Sequence, residues 1–264
     1  MNVSRRFVLS ALLAAGAATL LPGSATAAPP SPTDPEFGAY LLTKIDNLHR
    51  GRSSHGLMSM QVKTARWERS MSMESWSVGE DYSLIRILEP KKERGTATLK
   101  SNKDLFTYLS KTGRTIKISG ASMGGSWMGS HFTNDDLVRD SRLDKDFDYV
   151  VKDGPTIAGE ATWALILTPK PKAVIVWGQV DVMVRKSDLL PVGQLFYDED
   201  LNPVRKMEFF DYQQVGGSQV PMRVRMSPLD ADKKGEYTEI SYQKLEFDVG
   251  IDASFFSVSN LKAL

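Results

Sequence analysis

The most constraining feature of this chain is an alternation of apolar residues with period two. From Gly56 onward, a series of short segments places an apolar side chain at every second position, most clearly in residues 58–62 and 220–226. Such alternation is typical of antiparallel strands with one wet face and one dry face. About ten or eleven strands at hairpin spacing predict a mainly β sandwich or barrel.

One amphipathic helix is expected ahead of the strands. Asp34 can cap it, Pro35 suits its first turn, and Gly51 can end it, which predicts a helix over residues 35–50. Its apolar residues recur at helical spacing and form one stripe. They are Phe37, Tyr40, Leu41, Ile45 and Leu48.

A glycine-rich apolar segment, residues 120–132, interrupts the strands. It is too apolar for a solvated loop and too rich in glycine for a stable helix. Thr133 can cap a short helix after it. We therefore expect a short helical segment near residues 120–140 that acts as a moving lid. Its predicted hinge residues are Gly120, Gly124, Gly125 and Gly129.

The N-terminus has the pattern of an export signal. Arg5 and Arg6 precede an apolar run from Phe7 to Leu21, and a small-residue cleavage motif ends at Ala27. The paired arginines also fit a twin-arginine signal, so both export routes stay open. We expect residues 1–27 to be removed, residues 28–34 to form an extended linker, and residues 35–264 to form a single domain that is soluble in the periplasm.

Composition favours binding over catalysis. The chain has no cysteine and three histidines, which leaves few residues for disulfides, thiolate chemistry or metal sites. Its formal net charge is +1, whereas general nucleic-acid binding needs a basic face. We therefore predict no metal, no cofactor and no nucleic-acid partner.

Two catalytic patterns occur in part but lack residues that their chemistry requires. Residues 120–124 match the G-x-S-x-G elbow of hydrolases, but that motif needs a parallel sheet and a late histidine. The only histidine after Ser122 is His131, nine residues on. Nothing places two of the 32 carboxylates across a cleft, as glycoside hydrolysis requires. We predict no catalytic residues and no enzyme activity.

The methionines suggest a ligand cavity. Met adapts to irregular apolar shapes, and most methionines here fall on the dry side of strands. Plain core packing explains the same pattern, but a strongly curved sheet encloses more space than its own side chains fill. The predicted cavity and lid residues are Met58, Met60, Met71, Met73, Met123, Trp127, Met128, Phe132, Trp163 and Met222.

Several segments resemble a known family. These are Arg94–Thr96, Asp104–Leu109 and above all Met128–Leu137, which reads MGSHFTNDDL. They are similar to the LolA-like outer-membrane lipoprotein-sorting proteins of the bacterial periplasm, and to an uncharacterised branch of that family more than to the authentic carrier. The resemblance implies a half-open antiparallel β-barrel with a helical lid, whose interior holds acyl chains. In the authentic carrier a strand arginine locks the lid, and the candidates here are Arg66, Arg69 and Arg86.

The resulting hypothesis is a monomeric periplasmic carrier. It would bind lipid or lipoprotein acyl chains and exchange them with an envelope transporter or an outer-membrane receptor protein. One alternative is a non-enzymatic accessory or structural module of an envelope export system, with a filled core. Another is an enzyme acting on envelope lipid or glycan, which would need a polar constellation inside the cavity.

Overall fold

The computed structural model describes residues 28–49, 51–139, 143–171, 173 and 175–263. The expected signal peptide, residues 1–27, lies outside the described residues. The helices are α1 Phe37–Asp46, α2 Asn134–Arg139, α3 Leu143–Asp146 and α4 Val258–Ala263. The strands are β1 Ser53–Lys63, β2 Glu68–Val78, β3 Tyr82–Glu89, β4 Ala97–Ser101, β5 Asp104–Leu109, β6 Arg114–Lys117, β7 Phe147–Asp153, β8 Thr162–Pro169, β9 Gln179–Arg185, β10 Pro191–Tyr197, β11 Pro203–Val215, β12 Ser218–Pro228 and β13 Tyr237–Phe247.

All thirteen strands belong to one antiparallel open sheet. Their order is β6-β5-β4-β3-β2-β1-β13-β12-β11-β10-β9-β8-β7, so β1 pairs with β13 in the middle of the sheet. The mainly β class and the antiparallel arrangement are as predicted. The predicted count of ten or eleven strands is too low. Strand β3 was not identified, because its two buried side chains, Leu84 and Ile87, are three positions apart and break the strict alternation.

The two faces of the sheet follow the alternation. Met58 and Met60 point to one face, which we call the inner face, and His55 and Leu57 point to the opposite, outer face. Paired residues of neighbouring strands share a face. Met58 lies opposite Met73 in β2, so Met73 is also on the inner face. The inner face therefore holds the main apolar clusters.

Helix α1 covers the inner face of strands β7–β10. Leu41 and Leu42 are fully buried and pack against valines and leucines of β8 and β9. The observed helix is shorter than the predicted 35–50. At the start, the Asp34 side chain accepts a hydrogen bond from the N–H of Glu36 in a turn before the helix. At the other end, the side-chain amide of Asn47 donates to the carbonyl of Thr43, and the helix ends there.

The position of the glycine-rich segment follows from the sheet order. Strands β6 and β7 are consecutive in sequence, yet they form the two opposite edges of the sheet. The chain between them, residues 118–146, therefore has to pass from one edge to the other. It contains two short 3₁₀ turns and helices α2 and α3. We call residues 120–139 the lid segment.

The C-terminal residues cover part of the outer face. Phe256 and Leu261 are buried against Leu84 and Leu99, which the register places on the outer face of β3 and β4. The sequence interpretation assigned no role to this segment. Of the described residues, no helix has the length and apolar character needed to span a membrane.

Candidate functional site

A cavity of about 280 Å³ lies between the inner face of the sheet and the elements that cover it. Its walls come from α1, the lid segment and strands on both halves of the sheet. Most lining side chains are aromatic or aliphatic. They include Ile45, Leu48, Met58, Trp127, Phe132, Trp177, Phe196, Phe209, Ile240 and Tyr242. Ligand pockets of about 300–1,000 Å³ hold drug-sized molecules, so this cavity is near the small end of that range.

One end of the cavity is lined by hydroxyl groups. Ser54, Ser77 and Ser83 lie side by side on β1, β2 and β3, and Ser75 lies in the next inward-facing row. Ser54 and Ser77 are hydrogen-bonded to each other at 2.6 Å. Since serine is too short to fill the space that an apolar side chain would occupy here, the cavity extends over these strands.

Trp127 lines the cavity and also belongs to a packed methionine cluster. It is 3% exposed, and its Nε1–H donates to Thr98 Oγ1 at 3.1 Å. The cluster contains four buried methionines of β1 and β2, together with Ile87. These are Met58, Met60, Met71 and Met73. The ring of Trp127 is therefore buried, and its N–H has a hydrogen-bond acceptor.

A buried ion pair attaches the lid segment to β11. Arg205 donates from Nη1 and Nη2 to the two carboxylate oxygens of Asp136, at 2.8 and 2.6 Å. Its guanidinium also lies 4.0 Å from the ring centre of Trp177 and 4.3 Å from that of Phe196. Arg205 further donates to the carbonyl of His131 at 3.3 Å. The bidentate pair and the two rings hold the guanidinium in one orientation.

His131 attaches the lid segment to β13. Its backbone N–H donates to Thr238 Oγ1 at 2.9 Å, and its ring Nδ1 lies 2.9 Å from the same oxygen. Its Nε2 faces Glu236 at 3.4 Å. The backbone N–H of Ala65, which donates to Glu236 at 2.8 Å, lowers the pKa of that carboxyl below its usual 4.5. Glu236 therefore links the lid to the turn between β1 and β2.

Arg69 of β2 makes a further attachment. Its Nη1 donates to the carbonyl of Met128 at 3.2 Å, and its Nη2 is ion-paired with Glu93. Of the three candidate arginines, Arg69 reaches the lid segment. Arg86 is instead paired with Glu74 on the outer face, and Arg66 is exposed in a turn.

Comparison with known proteins places the chain in a family. A family model described as an uncharacterised protein matches residues 79–263. The fold is similar to that of a DUF1329 family protein from Desulfovibrio piger, with a TM-score of 0.76, 25% identity and coverage of 85% of this chain and 97% of the other. The chain belongs to the family of uncharacterised proteins that this family model describes.

Two further structures share the LolA-like fold. One, from Vibrio parahaemolyticus, is described as an outer membrane lipoprotein-sorting protein domain and has a TM-score of 0.75, 22% identity and coverage of 86% and 99%. The other is a LolA superfamily protein from Nitrosomonas europaea, with a TM-score of 0.70, 19% identity and coverage of 84% and 98%. None of the curated proteins matches the sequence significantly.

In this chain, whose fold is LolA-like, the predicted site residues fall into three groups. Met58, Trp127 and Phe132 line the cavity. Met60, Met71, Met73 and Met128 belong to the cluster that includes Trp127 and do not line the cavity. The remaining three lie elsewhere: Met123 is half-buried in the lid segment, Trp163 packs against Phe37 of α1, and Met222 packs with Val220 and Leu245.

The four predicted hinge glycines differ in their backbone geometry. Gly129 has φ +74°, in the region that favours glycine, and it follows Met128 at φ 52°. Gly120 and Gly124 have open space around them and no positive φ. A Cβ atom added to Gly125 would lie 3.1 Å from the carbonyl oxygen of Ser122, which is a tight contact. The strained part of the lid is therefore the turn at residues 128–129.

The sequence did not reveal the aromatic side chains that line the cavity near strands β9–β11. Trp177, Phe196 and Phe209 line the cavity, but they lie in segments far apart in sequence. Arg205 was missed for the same reason, since Asp136 is 69 positions away. The alternation of β11 could have marked Arg205 as a buried arginine on the inner face, which is a signal for a paired charge.

The serine of the G-x-S-x-G motif and the histidine that follows it do not contact each other. Ser122 Oγ is exposed and hydrogen-bonded to Ser119, whereas the His131 ring contacts Thr238 and Glu236. His49 bonds the carbonyl of Pro221, and His55 lies on the outer face beside Glu74. Within the described ranges, no group of histidine, cysteine or acidic residues has a geometry that could hold a metal ion.

Proposed function

We propose that this protein is a periplasmic carrier that binds the acyl chains of a lipid or lipoprotein and passes them between envelope components without chemical change. The observation that carries the proposal is the mostly apolar cavity between the inner face and the lid segment. Transfer of one methylene from water into such a site contributes about 0.8 kcal/mol. The structural relative described as a lipoprotein-sorting protein domain supports the same cargo class.

The cavity has an orientation that suits an amphipathic ligand. Aromatic side chains such as Phe209 and Tyr242 would contact an acyl chain, and the serines of β1–β3 would hydrogen-bond an ester or amide group at its head. A volume of about 280 Å³ accommodates little more than one such chain. A cargo with two or three chains would require Trp127 to leave its place and expose the methionine cluster.

Release needs a partner in this proposal. An acyl chain held by many methylene contacts does not leave for water at a useful rate, so an envelope transporter or outer-membrane receptor would have to favour the open lid. The protein would act as a monomer after export, with its signal peptide removed after Ala27. No covalent step and no cofactor is involved.

Mass spectrometry of an organic extract of the purified protein tests the cargo. We expect acyl lipids at a stoichiometry near one per chain. A chain that carries no lipid and takes up no fluorescent fatty acid would instead fit the alternative of an accessory module of an export system.

A cavity-filling variant tests the site. Val224 lines the cavity, so Val224→Phe should weaken fatty-acid binding at least tenfold while the protein stays folded. Val150→Phe makes the same change on an exposed position of β7 and should leave binding unchanged. Equal binding by both variants would place the ligand elsewhere.

A further inference from the structure

Three successive hairpin turns lie together at one end of the sheet. Strands β1 to β6 are antiparallel neighbours in sequence order, so the turns β1–β2, β3–β4 and β5–β6 must emerge at the same end. These turns comprise residues 64–67, 90–96 and 110–113. We call residues 63–69, 89–96 and 109–114 the basic rim.

Direct contacts join the three turns into one surface. Arg69, at the start of β2, is ion-paired with Glu93 in the next turn. Thr96 Oγ1 lies 3.2 Å from Ser110 Oγ, which connects that turn to the third one. The basic rim is therefore continuous from β1 to β6.

The basic rim is far more positive than the chain as a whole. It contains eight lysines and arginines and three glutamates, a net charge of +5, whereas the whole chain has a net charge of +1. The cations are Lys63, Arg66, Arg69, Lys91, Lys92, Arg94, Lys111 and Arg114. All of them except the half-buried Arg69 are exposed.

At the same end of the sheet, the turns that connect strands β8–β13 have a negative net charge. The turn between β10 and β11 contains Asp198, Glu199 and Asp200, and the turn between β12 and β13 contains three acidic residues against Lys233 and Lys234. The turn between β8 and β9, at the same end, adds Lys170 and Lys172, so these three turns together hold six acidic residues and four lysines, a net charge of −2. The positive excess at this end of the sheet therefore lies on the turns of β1–β6.

An exposed tryptophan lies within the cations. Trp67 is 43% exposed at the tip of the first turn, directly after Arg66. The turn is tight, because Trp67 N–H donates to Thr64 Oγ1 at 3.1 Å and its carbonyl accepts from the Thr64 N–H at 2.9 Å. Leu109, at the edge of the third turn, is 36% exposed. Tryptophan and leucine among lysines and arginines are typical of surfaces that enter a membrane interface.

We propose that the basic rim docks this protein on a membrane surface rich in anionic lipids. Because the three turns lie at one end of the sheet, they can approach a flat, negatively charged surface together. The exposed lysines are mobile point charges, which suit attraction to many headgroups without a defined pocket. The proposal goes beyond acyl-chain binding and does not depend on it.

Docking in this orientation would bring the lid close to the bilayer. Arg69 belongs to the basic rim and also donates to the carbonyl of Met128 in the lid segment. The turn of residues 64–67 is connected to the lid a second time, through Ala65 and Glu236 to His131. The surface that contacts lipid in this proposal is thus the surface to which the lid is attached.

Co-sedimentation with vesicles tests the proposal on the purified protein. We expect binding to phosphatidylcholine vesicles containing phosphatidylglycerol, no binding to pure phosphatidylcholine vesicles, and weaker binding as salt is added. The double variant Lys91→Gln with Lys92→Gln should weaken binding about 30-fold. Each cation contributes about 1 kcal/mol at an anionic surface, and about 1.4 kcal/mol corresponds to a tenfold change in affinity.

The matched control changes two lysines at the same end of the sheet. Lys233→Gln with Lys234→Gln removes the same charge from the acidic turn and should change binding less than threefold. Trp67→Ser, which alters no charge, should weaken binding severalfold and reduce the shift of tryptophan fluorescence on binding. Absence of vesicle binding at low salt, as expected if the rim met an acidic protein, would overturn the proposal. An equal loss in both lysine pairs would overturn it as well.

Discussion

Arg205 and Asp136 form a two-point ion pair that joins the lid segment to β11, with N–O distances of 2.8 and 2.6 Å. Their side chains are 7% and 14% exposed. Loss of one partner from a buried pair leaves an uncompensated charge, which costs about 3–5 kcal/mol. We expect Asp136→Leu to lower the free energy of unfolding by about 3 kcal/mol, measured by urea denaturation.

A double variant distinguishes the cost of an unpaired buried charge from the cost of altered packing in the lid segment. Asp136→Leu combined with Arg205→Met replaces both charges with apolar groups of similar size and should recover most of the lost stability. If the double variant is as unstable as Asp136→Leu alone, the cost arises from packing or from the turn at Thr133, which also bonds Asp136.

Arg69 should control opening of the lid. Its hydrogen bond to the Met128 carbonyl is charge-assisted, so Arg69→Ala should destabilise the closed lid by about 1.5 kcal/mol. Backbone amides of residues 127–135 should then exchange with deuterium roughly tenfold faster, measured by mass spectrometry. Arg86→Ala removes an arginine of similar exposure from the outer face and should not change exchange in the lid. Identical exchange in both variants would exclude a lid role for Arg69.

Gly129 should resist substitution more than the other lid glycines. At φ +74°, an added Cβ costs about 1–2 kcal/mol. Gly129→Ala should therefore lower Tm by about 2–4 °C or more, whereas Gly124→Ala, with open space around it, should not lower Tm. Equal Tm values for both variants would contradict the strained turn at residues 128–129.

The paired change Gly124→Ala with Gly125→Ala tests the hinge prediction. It should slow ligand loading or release while leaving the fold intact, because alanine restricts the backbone of the lid segment without a large clash. Stopped-flow fluorescence with a fatty-acid probe measures the rates. Transfer at the parental rate would count against a moving lid.

Glu236 should stabilise the protein in a pH-dependent way. Because hydrogen bonding lowers its pKa in the folded state below the usual 4.5, its contribution is present above about pH 4.5 and is lost as pH falls through the lowered value. The Tm difference between the parent and Glu236→Gln should be largest at neutral pH and shrink in acid. Calorimetry between neutral pH and about pH 3 measures it. Glu199→Gln, in an exposed turn, should show no such trend.

Local features of the fold were predictable from sequence. The dry side of each strand follows from alternation, since side chains at every second position share a face. Thr133 caps α2 as expected, because its Oγ1 accepts from the N–H of Asp136 at 3.2 Å. Both depend on residues only a few positions apart. The ends of α1 were wrong because a turn at Asp34 and the side chain of Asn47 compete with the helix there.

The site depended on contacts that no local pattern contains. Met58 and Met60 share a residue type, a face of β1 and a cluster with Trp127, yet Met58 lines the cavity and Met60 does not. The difference comes from where the lid segment crosses the sheet, which depends on β6 and β7 being opposite edges. The C-terminal cover on Leu84 and Leu99 likewise needed long-range pairing.

The sequence by itself determined that the chain forms antiparallel strands with one apolar face, a helix able to cover that face, and a glycine-rich segment in the middle. Only the tertiary structure decided which apolar side chains are packed and which surround empty space, and that Arg205 and Asp136 meet. The physical reason is that alternation and capping arise between near neighbours, whereas a cavity exists only where distant elements meet and leave a gap.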